Sequence, residues 1–356
     1  MTLSVEVVPV PVLGEPPSPL VAAFAEVSRA SIEGIFGDDD LADSAEAVEV
    51  AYSEQVTRRK VMVLARDGGA VLGGAYFGMP LRDNVTLAEG DFAVAPGAEV
   101  AQVVPTLWDA VRPVLVAQGR TTAQVWMSHP FSDDVEQLVP RTGVGSLPHG
   151  PLASVLLDLG FTLEQVERHS VLDVVASHER AVAHGELARA AAGTAYEVVG
   201  WSGPVPPDQQ AAMAQIMARM STDVPSGDLE LEPEVWDAAR VAESDRVATR
   251  MGRARLTTIA RHVPTGEIVA YTVIESPSDK PQAAYQEDTL VHAEHRGHRL
   301  GMLVKAGNLE QLGRELPAVR RIHTWNAGEN EHMLAINRAL GFTDRTVEGG
   351  WQLTGL

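Results

Sequence analysis

The chain has 356 residues, 45% hydrophobic and 21% charged, with a formal net charge of -20. That length allows two domains, each with its own core, and the acidity excludes an electrostatic hold on nucleic acid or an anionic membrane. With no cysteine there is no disulfide, no thiolate nucleophile and no cysteine-based zinc site. No apolar run approaches the roughly 20 residues of a bilayer span. The opening M-T-L-S-V-E-V-V lacks a basic region followed by an apolar stretch, so no signal peptide and a cytoplasmic location are expected. The negative charge either favours a cationic small-molecule partner or serves solubility alone.

Taken in chain order, Glu6-Val7-Val8 begins a short strand, and Ser18-Pro19 forms an N-cap and N1 pair before the helical spacing of Leu20, Phe24, Val27 and Ile35. The acidic run Asp38-Asp39-Asp40 follows, either a solvated face or a dock for a substrate ammonium; Asp228 to Glu234 reads the same way. Val61 to Arg66, the turn Asp67-Gly68-Gly69 and the strand after it predict a hairpin. Asp91 to Val94, Trp126 and Leu159-Gly160-Phe161-Thr162 mark later elements.

All of these recur in the same order. Glu197-Val198-Val199 repeats the first strand at an offset of 191, and Leu256 to Arg261 repeats Val61 to Arg66 at 195. Asp288 to Val291 repeats Asp91 to Val94 at 197, Trp325 repeats Trp126 at 199, and Leu340-Gly341-Phe342-Thr343 returns at 181. In the second copy a helix is expected to open at Pro207-Asp208. The drop in offset places about 18 extra residues in the first copy, including Pro-Arg-Thr-Gly-Val-Gly and Pro-His-Gly-Pro, a surface insertion by composition. The expected units are residues 1–178 and 192–356, joined by an alanine-rich, partly helical segment at 179–191.

Val291 to Gly301, V-H-A-E-H-R-G-H-R-L-G, leads from a strand end into a helix carrying apolar Leu303, Val304, Leu309 and Leu312. A loop that turns its N–H groups inward at a helix N-terminus cradles phosphate, because free amides and the helix dipole both favour anions. Arg296 and Arg299 add charged donors, and Gly297 and Gly301 let the backbone approach a ligand. Here the chain resembles the GNAT acyltransferase superfamily, whose pyrophosphate loop reads R/Q-x-x-G-x-G/A. Arg296 and Gly301 match, and Arg299 stands where the middle glycine would be. The order of strands and helices, and Asn330 to Phe342, resemble that family too.

The resemblance implies an α/β (α+β) fold of two tandem GNAT domains, each a mixed, mostly antiparallel twisted sheet flanked by helices. It implies acetyl-CoA in the second copy, held by Leu290, Val291, Arg296, Gly297, His298, Arg299, Leu300, Gly301, Met302, Asn326, Asn330 and Asn337. Glu287 occupies the general-base position, against a plain reading as an exposed strand-end carboxylate. Asp288 is expected to face the other way, since strand neighbours alternate. The family's proton-donating tyrosine is Asn337 here, leaving Tyr285, His323 or water to serve. In the first copy Glu99, Val100 and Val104 replace Arg296, Gly297 and Gly301, so no coenzyme is expected there. His292, His295, His298 and His323 lack the spacing of a metal site.

The expected activity is transfer of acetyl from acetyl-CoA to a primary amine of a small molecule, by a monomer or homodimer binding neither nucleic acid nor membrane. Two-copy architecture is also similar to that of the mycothiol synthase family. The alternatives are a non-catalytic acyl-CoA-binding sensor or structural protein, and a peptide or protein N-acetyltransferase.

Overall fold

The computed structural model describes residues 3–12, 14, 17–132 and 134–356. The first copy runs β1 (Ser4–Val7), α1 (Pro19–Phe36), α2 (Ala45–Ser53), β2 (Arg58–Asp67), β3 (Ala70–Pro80), β4 (Leu87–Val94), α3 (Val100–Ala117) and β5 (Thr122–Pro130). A two-residue pair, β6 (Gln137–Leu138) and β7 (Leu147–Pro148), precedes α4 (Pro151–Asp158) and β8 (Thr162–Asp173). α5 (Val174–Ala192) contains residues 179–191, so the alanine-rich joint is a helix, capped by Asp173 accepting from the Ala176 amide at 2.9 Å.

The second copy repeats the order: β9 (Tyr196–Ser202), α6 (Gln210–Met217), α7 (Met220–Asp223), α8 (Ala238–Arg250), β10 (Arg253–His262), β11 (Ile268–Pro277) and β12 (Ala283–Val291). α9 (Leu300–Glu315), β13 (Arg321–Ala327), α10 (Glu331–Leu340) and β14 (Thr343–Thr354) complete it. Ser18 caps α1 through the Val21 amide at 3.2 Å, with Pro19 in the first turn, as its sequence predicts. The helix expected at Pro207 starts later, at Gln210.

The strands form one sheet in the order β1-β2-β3-β4-β5-β14-β8-β13-β12-β11-β10-β9. Among the described residues only β4–β5 and β12–β13 pair in parallel, and the other neighbouring strands are antiparallel. The last strand of each copy is thus exchanged. β14 pairs with β5 of the first copy, and β8 pairs with β13 of the second. The two sheets expected from the repeat are therefore continuous. Gly349 and Gly350 permit the exchange, since a Cβ on Gly350 would stand 3.0 Å from the Trp126 ring and one on Gly349 2.7 Å from Leu147.

Helices cover both faces. α3 and α4 bury Val104, Leu107, Trp108 and Leu156 against the first half, while α5 and α9 bury Ala188, Leu303 and Val304 against the second. α1 and α2, with α6 and α8, cover the opposite face. α3 is long and apolar enough to resemble a membrane span, with a mean hydropathy of 1.2, although no such run was expected. Its Val103, Val104, Leu107, Val111 and Leu115 lie in the core.

Glu167 and Glu348, related by the repeat offset of 181, pair directly across β8 and β14, so a pseudo-two-fold axis passes between them. Burial, then Glu348 and Glu329, push Glu167 up to about 8. Burial pushes Glu348 up to about 7, partly offset by a hydrogen bond from Ser128 Oγ at 3.0 Å. A raised folded pKa gives stability that is full below the unfolded value and lost as pH rises through the folded one. Stability should therefore fall between about pH 4.5 and 8. Glu167→Gln is expected to equal the parent at pH 4.5 and to exceed it by roughly 1–2 kcal/mol at pH 8 in urea unfolding. A destabilised variant at pH 8 would contradict this.

Candidate active site

β12 ends at Val291, a single 3₁₀ turn spans Ala293–His295, and α9 begins at Leu300. Arg299, the N-cap, is left-handed with φ 57° and makes no side-chain cap bond, leaving the first-turn amides of α9 to other acceptors. The chain thus keeps a glycine-type conformation at the position where the loop departs from the family pattern. Gly297, with φ 87°, has nothing within 4 Å of a Cβ position.

These residues line a cleft of about 820 Å³. Leu290, Val291, Arg296 and Gly301 form one wall, while Asn330, Met333 and Ile336 of α10 form the other. Arg296 donates to the Val291 carbonyl at 3.4 Å and lies 3.6 Å from Asp223, and Arg299 has no carboxylate partner among the described residues. A mainly apolar cleft ending in free helix amides and two arginines fits an anionic nucleotide with an apolar arm. At the matching point of the first copy, exposed Glu99 is the N-cap of α3.

Three expected contacts lie elsewhere. His298 turns onto Tyr196, 5.4 Å between ring centres, because that ring also gathers His262 and His295. Met302 packs into the core beneath α9. Asn337 is buried, its Nδ2 donating to Asn326 Oδ1 at 2.5 Å. Asn330 lines the cleft while capping α10 through the Met333 amide at 3.2 Å.

Inward of the cleft, β12 and β13 pair only from Ala283–Tyr285 to Arg321–His323 and then diverge. The gap opens a chamber of about 250 Å³ lined by Glu167, Glu287, Asp288, Lys305, Thr324 and Asn326, among others. Register with β11 jumps from Thr272–Thr289 to Ile274–Gln286, so Val273 faces both Glu287 and Asp288. This bulge breaks the alternation expected of the strand. Asp288 therefore shares the chamber with Glu287, accepting a hydrogen bond from Tyr271 Oη at 2.9 Å. Glu287 is reached by water yet walled in by protein. Poor solvation, then Glu275 and Asp288, push it up to about 7. Burial raises Asp288 as well.

Tyr285 and His323 do not line the chamber. Tyr285 Oη donates to the Asp40 carbonyl at 2.8 Å, and His323 bridges Asp40 Oδ2 at 3.2 Å and His169 at 3.0 Å. Asp40 is fully buried and also takes Arg321 Nη2 at 2.8 Å and Gln282 Nε2 at 3.1 Å. Burial opposes its charge, but the bonds from His323, Arg321 and Gln282 prevail and hold it well below the usual carboxylate range. The acidic run is therefore neither solvated nor a substrate dock at Asp40: it ties the first half to β12 and β13.

Beyond the chamber, and sharing Asp288 and Met220 with it, a pocket of about 590 Å³ lies between the halves. Glu54, Arg58 and Asp83 come from the first half, and Trp236, Arg240 and Glu275 from the second. Its charges are largely paired, as in Arg240–Asp83 at 2.6 Å and Arg240–Glu234 at 3.1 Å. Cleft, chamber and pocket thus run in series past Glu287 and Asp288. Among the residues unmarked by sequence, Val144, inside the expected surface insertion, and Glu167 bring the first half into the second half's site.

No protein-family model matches the chain, and no curated protein matches it. Solved structures do. A tandem GNAT protein from the clavulanic acid biosynthesis pathway, solved without acetyl-CoA, is 22% identical over 99% of both chains, with a TM-score of 0.74. A GCN5-related N-acetyltransferase from Sphaerobacter thermophilus is 14% identical over 99% of this chain and 95% of its own, with a TM-score of 0.59. The chain has the tandem GNAT fold.

Proposed function

We propose that the protein is an N-acetyltransferase that uses acetyl-CoA and acetylates a primary amine of a small molecule, with its active site in the second half. The observation that carries this reading is the adjacency of three spaces that share lining residues: the cleft at the α9 N-terminus, the chamber between the splayed strands and the pocket between the halves. Arg296, Arg299 and the α9 amides would hold the diphosphate, and freed backbone of β12 at Leu290 and Val291 the pantetheine arm. Acetyl-CoA, when bound, supplies an activated acyl group as a thioester.

Glu287 takes a proton from the acceptor ammonium, which must become a neutral amine before attack. A carboxylate held near neutrality is matched to that task at pH 7. Asp288, on the pocket side of the same bulge, orients the ammonium by charge. The pocket's paired charges suit a small polar amine and its walls come from both halves, which favours a metabolite over an extended peptide. Incubating the protein with acetyl-CoA and pools of polyamines, aminosugars, amino acids and peptides, while following thiol release, tests the reading. Turnover on peptides alone, or coenzyme binding without turnover on any pool, would overturn it.

Arg299 gives a narrower test. Arg299→Gly should relieve the left-handed strain and raise stability by about 1 kcal/mol, while weakening coenzyme A binding roughly tenfold. Urea unfolding and calorimetry measure the two effects. Unchanged affinity would remove Arg299 from the cradle.

A further inference from the structure

Lys305 stands one turn beyond Gly301 on α9, with 1% of its surface exposed. It lines the chamber, and its Nζ lies 5.4 Å from the centre of the Phe342 ring. Among the described residues it makes no ion pair. The other ionisable side chains lining the chamber, Glu167, Glu287 and Asp288, are carboxylates, so Lys305 is its one amine. A buried ammonium without a counterion is costly, and a ring face offsets that only in part. Methionine or leucine would fill the same volume at no such cost. The chamber is also where the proposed course brings the thioester, between the cradle of α9 and Glu287.

Resting on the reading above, we infer that Lys305 is the proton donor to the departing thiolate. Glu287, having passed the ammonium's first proton to solvent, takes the remaining excess proton as the acceptor nitrogen forms its bond to the acyl carbon, and passes that one to solvent as well. The carbon–sulfur bond breaks with its electron pair left on sulfur, and Lys305 Nζ gives that sulfur a proton. The neutral Lys305 amine regains one from solvent, and the reaction releases one proton net. Burial pushes Lys305 down to about 7, below a thiol's usual value of about 8.5, so the transfer runs downhill near neutral pH. Asn337, on the neighbouring helix, carries an amide and supplies no such proton.

Lys305→Met tests this, since a methionine fills the buried site without an amine. Coenzyme A should bind within a few-fold of the parent's affinity, while kcat falls on the order of 10²-fold and the alkaline limb of its pH profile disappears. A second reading needs no turnover: the 15N resonance of Lys305 Nζ. Coenzyme A bound at pH 7 should shift that resonance, desulfo-coenzyme A should leave it in place, and Glu287→Gln should respond as the parent does. If the methionine variant does not fold, Lys305→Arg serves. It keeps a charge but should lose turnover because arginine does not release its proton. Unchanged kcat in either folded variant, or an Nζ resonance that does not sense the sulfur, would overturn the inference and leave the acetyltransferase reading standing. An acetyl group found on Lys305 by mass spectrometry during turnover would also overturn it, by making the amine a nucleophile. Absence of coenzyme binding by the parent would remove both.

Discussion

Glu287→Gln is expected to lower kcat by about 10²- to 10⁴-fold with little change in coenzyme affinity, because a positioned base contributes that much to proton transfer. Glutamine keeps the shape of the bulge and removes only the capacity to take a proton. With Glu287 held near 7, parent activity should rise through pH 7 as the carboxylate ionises, and this acid limb should vanish in the variant. Asp288→Asn provides the contrast: a higher KM for the amine, with the acid limb retained, since Asp288 faces the pocket and accepts from Tyr271. Rates on a fixed amine across pH 5 to 9 decide between them. If Asp288→Asn abolishes the limb and Glu287→Gln does not, the roles are reversed.

Asp40→Ala should cost about 3 kcal/mol or more at pH 7, measured by urea unfolding. The variant removes the carboxylate that faces buried His323 and leaves Arg321 and Gln282 short of the partner its side chain supplies, while Tyr285 keeps the Asp40 backbone carbonyl. Asp40 has a lowered folded pKa, so its contribution is present above its unfolded value near pH 4 and is lost as pH falls toward the folded one. The gap between parent and variant should therefore narrow in acid. Because Lys280 and Arg253 anchor the same loop at Asp39 and Asp43, the variant should also loosen the pocket between the halves. A loss below 1 kcal/mol would mean the loop contributes little to joining them.

The tandem order was legible because short markers recur: the Ala-Arg ending β2 and β10 as far as Arg66 and Arg261, and the Leu-Gly-Phe-Thr that opens β8 and β14. The exchange of β8 and β14 was not. Both carry the same opening, and alternation specifies a strand's faces without naming its neighbour. Asp288 was misplaced for a related reason: a bulge depends on the pairing of β12 with β11 and leaves no mark in β12 itself. Asp40 looked like solvated charge because its partner Arg321 lies 281 residues away. The cradle was legible at Arg296, Gly297, Arg299 and Gly301, since backbone requirements are local, whereas His298 depends on where Tyr196 brings its ring. Lys305 carried one faint signal, a lone lysine between Val304 and Ala306 on a helix face that is otherwise core.

Titrating the full chain with coenzyme A in a calorimeter tests the central claim most directly. One site per chain is expected, weakened by salt and lost in Gly301→Val, whose branched side chain would crowd Ile336 where a Cβ already comes within 3.0 Å. Two sites, no heat, or a site that survives Gly301→Val and responds instead to changes at Glu99 would contradict a single cradle in the second half.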